Sequence, residues 1–219
     1  MYLGLLGNHD AAGLCQLSDW GAKEYAKTLA LAVEEYKLDG VNFDDEYSGS
    51  PGSGKWFAPR STAAGARLCY ETKKAMTEMV PWETEMSYFQ YGQLYNSSMP
   101  ADVDGHVPGD YIDFTVANYG GSTSPMAGQT MKNCSGTSIE CNQGGSISET
   151  RARQIKEAGY GWVMWFAFDP SPSSGIYRNM LPSIKAASLG LYDLPLKEPT
   201  GYYKKAKVEG SFDPQRYTY

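Results

Sequence analysis

A chain of 219 residues with 42% hydrophobic and 13% aromatic side chains describes one globular domain with a sizeable core and not a disordered protein. Its 19 basic and 25 acidic residues leave a net charge of −6 with no basic run, which argues against nucleic acid or anionic lipid as the main partner and favours a neutral ligand. No apolar run is long enough to cross a membrane, while 17 Tyr and five Trp supply amphipathic rings, most of which must be core or ordinary surface.

Met1 leads directly into a strand read at residues 2–8, with no charged leader, and a Gly-containing loop follows to Ser18. Ala22, Tyr25, Ala26, Leu29, Ala30 and Val33 recur at helical spacing, which predicts an amphipathic crossover helix leading to a second strand. A strand, helix and strand of this length imply parallel pairing.

That second strand, residues 38–46, reads Leu38-Asp39-Gly40-Val41-Asn42-Phe43-Asp44-Asp45-Glu46, with Tyr47 next. Side chains alternate across a strand, so Asn42, Asp44 and Glu46 share one face and Val41, Phe43 and Asp45 the other. Carboxylates two residues apart lie about 7 Å apart at Cα, close enough for one charge to raise its neighbour's proton affinity and so keep an acid protonated near neutral pH. A solvated acidic turn or a calcium loop is the plainer reading of an acidic triplet. The buried strand that introduces the acids favours an active-site rim.

Segment 48–61 is rich in Gly, Ser and Pro but holds Trp56 and Phe57, and reads as a rim loop. A helix at 62–79, with Leu68, Cys69, Ala75, Met76 and Met79 inward, ends before Pro81. Strands follow at 84–91, where Tyr88 and Gln90 share a face, and at 111–119, closed by Gly120-Gly121. A weak strand near 138–142 precedes Ser146-Ile147-Ser148-Glu149, whose spacing is that of a capping box opening a helix to about residue 158. The run 160–168 is the most hydrophobic in the chain and reads as a buried parallel strand. A last helix is expected at 175–189, and residues 194–219 read as an extension beyond a 1–193 domain. Cys15 and Cys69 read as core residues, and Cys134 and Cys141 could bridge. Cysteine spacing fits no zinc pattern and His9 and His106 stand apart, so no metal site is expected.

The stretch Asp39-Gly40-Val41-Asn42-Phe43-Asp44-Asp45-Glu46 resembles the Asp-Gly-x-Asp-x-Asp-x-Glu signature of glycoside hydrolase family 18. With Asp45 and Tyr47 it is most similar to the endo-β-N-acetylglucosaminidase branch typified by endoglycosidase H. Leu5-Leu6-Gly7-Asn8-His9 resembles that branch's preceding strand, and a looser similarity extends to about residue 193. Asn42 departs from the pattern, standing where the family has Asp.

The resemblance implies a (β/α)8 TIM barrel and hydrolysis within the chitobiose core of N-linked glycans by a substrate-assisted, retaining mechanism without cofactor. Glu46 would be the general acid and Asp44 would orient the substrate acetamide. Asn42, Tyr88, Gln90, Asn118, Tyr119 and Trp165 are the candidate substrate contacts, Tyr119 through its match to a family tyrosine and Trp165 or Phe168 as the aromatic floor. A chitinase-like hydrolase, or a non-catalytic glycan-binding protein on the same fold, are the alternatives; Asn42 favours the second and the intact Asp44 and Glu46 oppose it. A monomer that is secreted, periplasmic or at the cell surface is expected. The signature sits on the family's fourth strand but on the second strand here. Six strands are counted, so the first two strand-helix units, about 60 residues, are expected upstream, which would leave open edges at residues 2–8 and 160–168.

Overall fold

The computed structural model describes residues 1–6, 13–45, 61–90, 102–169 and 174–196. In chain order these form β1 (Tyr2–Leu6), α1 (Asp19–Glu35), β2 (Gly40–Asp44), α2 (Thr62–Met79), β3 (Glu85–Gln90), β4 (Phe114–Ala117), β5 (Ser135–Glu140), α3 (Glu149–Glu157), β6 (Trp162–Phe166) and α4 (Gly175–Tyr192).

Strands β1 to β4 pair in parallel and in sequence order, and β5 pairs in parallel with β6. Isolated parallel bridges, Thr115 with Cys134 and Tyr119 with Ser138, join β4 and the residues after it to β5. The ladder is interrupted there because the Ala117 N–H donates to the Ser135 hydroxyl at 2.7 Å instead of to a backbone carbonyl. Among the described residues β1 and β6 do not pair, so the six expected parallel strands are present in order as a four-stranded and a two-stranded sheet, without closing into a ring.

Helix α1 starts at Ser18, whose hydroxyl accepts from Gly21 N at 3.1 Å. It buries Ala22, Ala26, Leu29, Ala30 and Val33, and the small residues let it pack closely along α2. Helix α2 has the predicted limits and buries Leu68, Cys69, Ala75 and Met76 against β2 and β3. Met79, expected inward, is exposed because it occupies the last position before the chain turns away. Val41, Phe43, Met86 and Tyr88 complete this core from the sheet. A smaller core lies under α3 and α4, around Ile139, Ile155, Met180 and Ala187.

Several boundaries differ from expectation. Helix α3 is capped by Ser148, which accepts from Arg151 N at 3.2 Å, and not by Ser146. Strand β4 is shorter than 111–119 because the 3-10 turn Pro108–Asp110 holds Tyr111 and Ile112 through bonds to Pro108 O. Strand β5 begins at Ser135 and gives way to the 3-10 turn Cys141–Gln143. β6 is only partly buried, and Phe166 at its end is 46% exposed. Cys134 and Cys141 are both free, buried thiols, so the possible bridge between them is not formed. The crossovers from β3 to β4 and from β4 to β5 contain, among the described residues, no α-helix.

Candidate active site at the carboxyl end of the parallel strands

The register determines which side chains can share a site. Leu3, Val41 and Met86 are aligned, and so are Leu5, Phe43 and Tyr88; all of them turn to the helices. Their alternates therefore line the opposite, inner face. At the amino end this face holds Tyr2, Gly40 and Glu85, with the Tyr2 hydroxyl donating to the Glu85 carboxylate. Burial and that bond push the Tyr2 hydroxyl well above its ordinary pKa. The next layer is Gly4, Asn42, Ser87 and Phe114, and the one at the carboxyl end begins with Leu6 and Asp44 and continues with Phe89 and Val116.

Gly40 makes this strand possible. Its φ of +153° and a Cβ that would lie 1.7 Å from the Glu85 carbonyl oxygen leave no room for any other residue between β2 and β3.

Asp44, at the end of β2, is half-buried on the inner face, whereas Asp45 is fully buried. Asp45 lies toward Cys69 and Tyr88: burial first, and then its charge, push the Cys69 thiol up to about 12, and burial followed by Cys69, Cys15 and the two aspartates raises the Tyr88 hydroxyl well above its ordinary range. Asp45 thus belongs to the core side, as alternation predicts. Glu46, together with Tyr47, His9 and the 48–60 part of the rim loop, lies outside the described residues.

Asn42 donates from Nδ2 to the Ser87 hydroxyl at 2.6 Å, within the inner face. Tyr88 and Gln90 do not join it. Both are buried on the other face, in line with Phe43, so against expectation they sit on the core side; Ser87 and Phe89 are the inward residues of β3. Asn118 is exposed beyond β4 and accepts from Tyr119 N at 2.7 Å, which fixes the turn carrying Tyr119. The Tyr119 ring is 5.9 Å from Phe89 and 5.4 Å from Phe166, so three aromatic rings from three parts of the chain meet at the carboxyl end of the strands.

Trp165, expected as the floor, packs with Val163 and Phe168 against the small core under α3 and α4, and Phe168 further meets Tyr177 at 6.3 Å. The inward residues of β6 are its alternates, Trp162 against Phe114 at 5.1 Å and Phe166 against Tyr119. Sequence reasoning missed Ser87, Phe89 and Phe166. The signal that finds Ser87 and Phe89 is the register with Asn42, and Phe166 is placed by its ring contact with Tyr119. No group of His, Cys, Asp and Glu suited to a metal ion occurs among the described residues, and no described helix is long and apolar enough to cross a membrane.

Parallel strands with crossover helices and an acidic side chain at the carboxyl end define an α/β protein of the class that binds its ligands at that end of the sheet. No family model matches the chain. Over 196 residues, 87% of its length, the chain is 38% identical to endo-β-N-acetylglucosaminidase F1 of Elizabethkingia meningoseptica, and 26% identical over 170 residues to an endo-β-N-acetylglucosaminidase of Flavobacterium sp. (strain SK1022). It covers 55% of the first and 50% of the second, so it spans about half the length of the curated relatives it matches. Crystal structures of EndoBT-3987 from Bacteroides thetaiotamicron, one with a Man5GlcNAc product and one with a Man9GlcNAc2Asn substrate, superpose on it with a TM-score of 0.78 at 44% and 43% identity. They cover 94% of this chain, and it covers 46% and 49% of theirs. Across most of its own length the chain is thus similar to endo-β-N-acetylglucosaminidases.

Proposed function

We propose that this chain carries the acid-bearing part of an endo-β-N-acetylglucosaminidase of glycoside hydrolase family 18, which cleaves between the two N-acetylglucosamines of the chitobiose core of N-linked glycans. The observation that carries the reading is the β2 strand Gly40–Asp44, which delivers Asp44 to the inner face at its carboxyl end with Glu46 two residues further on. The relatives' complexes with Man9GlcNAc2Asn and Man5GlcNAc support the substrate class.

In the proposed reaction the Glu46 carboxyl gives its proton to the glycosidic oxygen as that bond to the anomeric carbon breaks. The substrate's acetamide oxygen attacks the same carbon, so no carboxylate nucleophile is needed. Asp44 orients the acetamide and stabilises the positive oxazolinium ion that forms. Water then opens this ring, returning its proton to Glu46, with net retention. Asn118 and Tyr119 bound the acetamide pocket, and the Phe89, Tyr119 and Phe166 rings supply apolar surface for a sugar face.

The fold proposed is a (β/α)8 barrel in which these six strands are completed by two further strand-helix units, with residues 194–219 as an extension. The protein is proposed to act as a monomer outside the cytoplasm. The test is incubation of the full-length protein with a high-mannose glycoprotein and mass measurement of the products. One N-acetylglucosamine left on each asparagine supports the reading, while cleavage of chitin oligomers alone, or glycan binding without release, supports the chitinase-like or non-catalytic alternatives.

A further inference from the structure

The inner-face layer just below Asp44 contains a bond that the signature does not supply. Asn42 has two in-register neighbours, Gly4 on β1 and Ser87 on β3. Gly4 offers no side chain, and a Cβ built there would meet nothing within 4 Å. Ser87 is buried, and its hydroxyl lies 2.6 Å from Asn42 Nδ2. The terminal torsion of asparagine is broad and roughly two-fold, so without a partner the amide can present either its oxygen or its nitrogen in a given direction. Among the described residues, Ser87 is the side chain that selects the orientation.

We infer that Ser87 is a positioning residue for the reaction proposed above: its hydroxyl locks the Asn42 amide, so that Asp44, on the same face two residues on, works beside a fixed neutral dipole in place of a second titrating carboxylate. The inference rests on the proposed function for its kinetic consequences and on geometry alone for the bond. An amide neither gains nor loses a proton in the working range, so Asn42 does not share a proton with Asp44. The dipole is useful in the transition state only if its direction is held before the charge develops.

Two sets of variants of the full-length protein test this. Ser87→Ala should lower kcat about tenfold with KM within twofold and the acid limb of the pH profile in place, and Ser87→Thr, which keeps the hydroxyl, should retain at least half of kcat. In the Asn42→Asp background the hydroxyl would instead donate to a carboxylate and hold its pKa down. Adding Ser87→Ala there removes that donor, and the acid limb of kcat/KM should move up by about one pH unit.

Thermal melting distinguishes lost packing from lost orientation. The Asn42 side-chain NH2 signal, assigned by its absence in Asn42→Asp, reports the bond without turnover and should exchange with solvent faster in Ser87→Ala. A Ser87→Ala enzyme with wild-type kcat, a Thr variant as slow as the Ala variant, or unchanged NH2 exchange overturns the inference. A wild-type protein that releases no glycan yet shows a protected Asn42 signal lost in Ser87→Ala overturns the proposed function and leaves the pairing standing.

Discussion

Asp44 and Asp45 are neighbours in sequence and belong to opposite faces of the sheet, Asp44 half-buried on the inner face with Asn42 and Asp45 fully buried toward Cys69 and Tyr88. The two aspartates should therefore fail differently. Asp44→Asn keeps the shape and removes the charge that faces the proposed oxazolinium ion, so kcat should fall at least a hundredfold with unfolding nearly unchanged. Asp45→Ala removes a buried polar group from the core and should cost about 2 kcal/mol of stability while the remaining folded protein keeps most of its kcat. Urea unfolding and single-turnover kinetics on both variants check the split. An Asp45→Ala enzyme that is stable and dead would reverse the assignment.

Gly40 marks the place where the β2 strand can come to harm most easily. A methyl group at this position would lie 1.7 Å from the Glu85 carbonyl oxygen, a backbone atom that cannot rotate away, and the φ of +153° is unfavourable to any side chain. Relief requires β2 and β3 to part at their amino ends. We expect Gly40→Ala to destabilise the fold by roughly 4 kcal/mol, in the tail of single substitutions, and to reduce activity in proportion to the folded fraction. A melting temperature within a few degrees of wild type would contradict it.

The helices were legible because their apolar residues have a helical period and clear ends. Helix α2 runs from Ser61 as its cap to Met79, as the spacing of Leu68, Cys69, Ala75 and Met76 and the stop at Pro81 predict. The faces of β3 and β6 were not legible. Every residue from Met86 to Gln90 is buried, because the sheet is covered on both sides there, so alternation carries no contrast and Tyr88 looks as available as Phe89. The run of β6 hides its direction because aromatic side chains stand on both of its faces. Pairing with Asn42 in β2, and through it with Ser87, tells inward from outward in β3, and packing against the small core and Tyr119 does so in β6. Pairing depends on contacts between residues far apart in the chain, and local patterns do not encode it.

The turn at Asp104 is tied to both helices by one guanidinium. Arg67 donates to Asp104 through Nη1 at 2.5 Å and Nη2 at 2.9 Å, lies 3.5 Å from Glu71 and 3.9 Å from Asp19, and stands over the Tyr70 ring. Its hydrogen bond, ahead of other effects, holds the Asp104 carboxyl below the usual carboxylate range. A depressed folded-state pKa means stability that is present above the unfolded value, near 4, and is lost as the pH falls through the lower folded value. Acid titration of the wild type should therefore show a loss of urea midpoint below pH 4 that is smaller in Asp104→Asn. The effect is modest because Asp104 is exposed and salt screens it. Equal acid limbs in the two proteins would mean that the bidentate pair contributes nothing.

Trp165 and Phe166 are adjacent in β6 and belong to opposite faces of the strand. Trp165 packs on the core beneath α3 and α4, while Phe166, 46% exposed, faces the Tyr119 ring at 5.4 Å. A ring that is open on one side and held by another aromatic residue is suited to meet the apolar face of a sugar. Phe166→Ala should then raise KM for the glycan severalfold or more, with little loss of stability because so much of the ring is already exposed. Trp165→Ala should do the reverse. It removes packing from the small core and should cost about 2 to 3 kcal/mol, less than the full value for a buried Trp because the ring is only partly covered, while KM of the folded enzyme stays near wild type. Steady-state kinetics with a defined glycopeptide and thermal unfolding, measured on both variants side by side, decide between them. A Trp165→Ala enzyme with intact stability and a large rise in KM would return the aromatic floor to Trp165 and show that β6 presents its other face to the substrate.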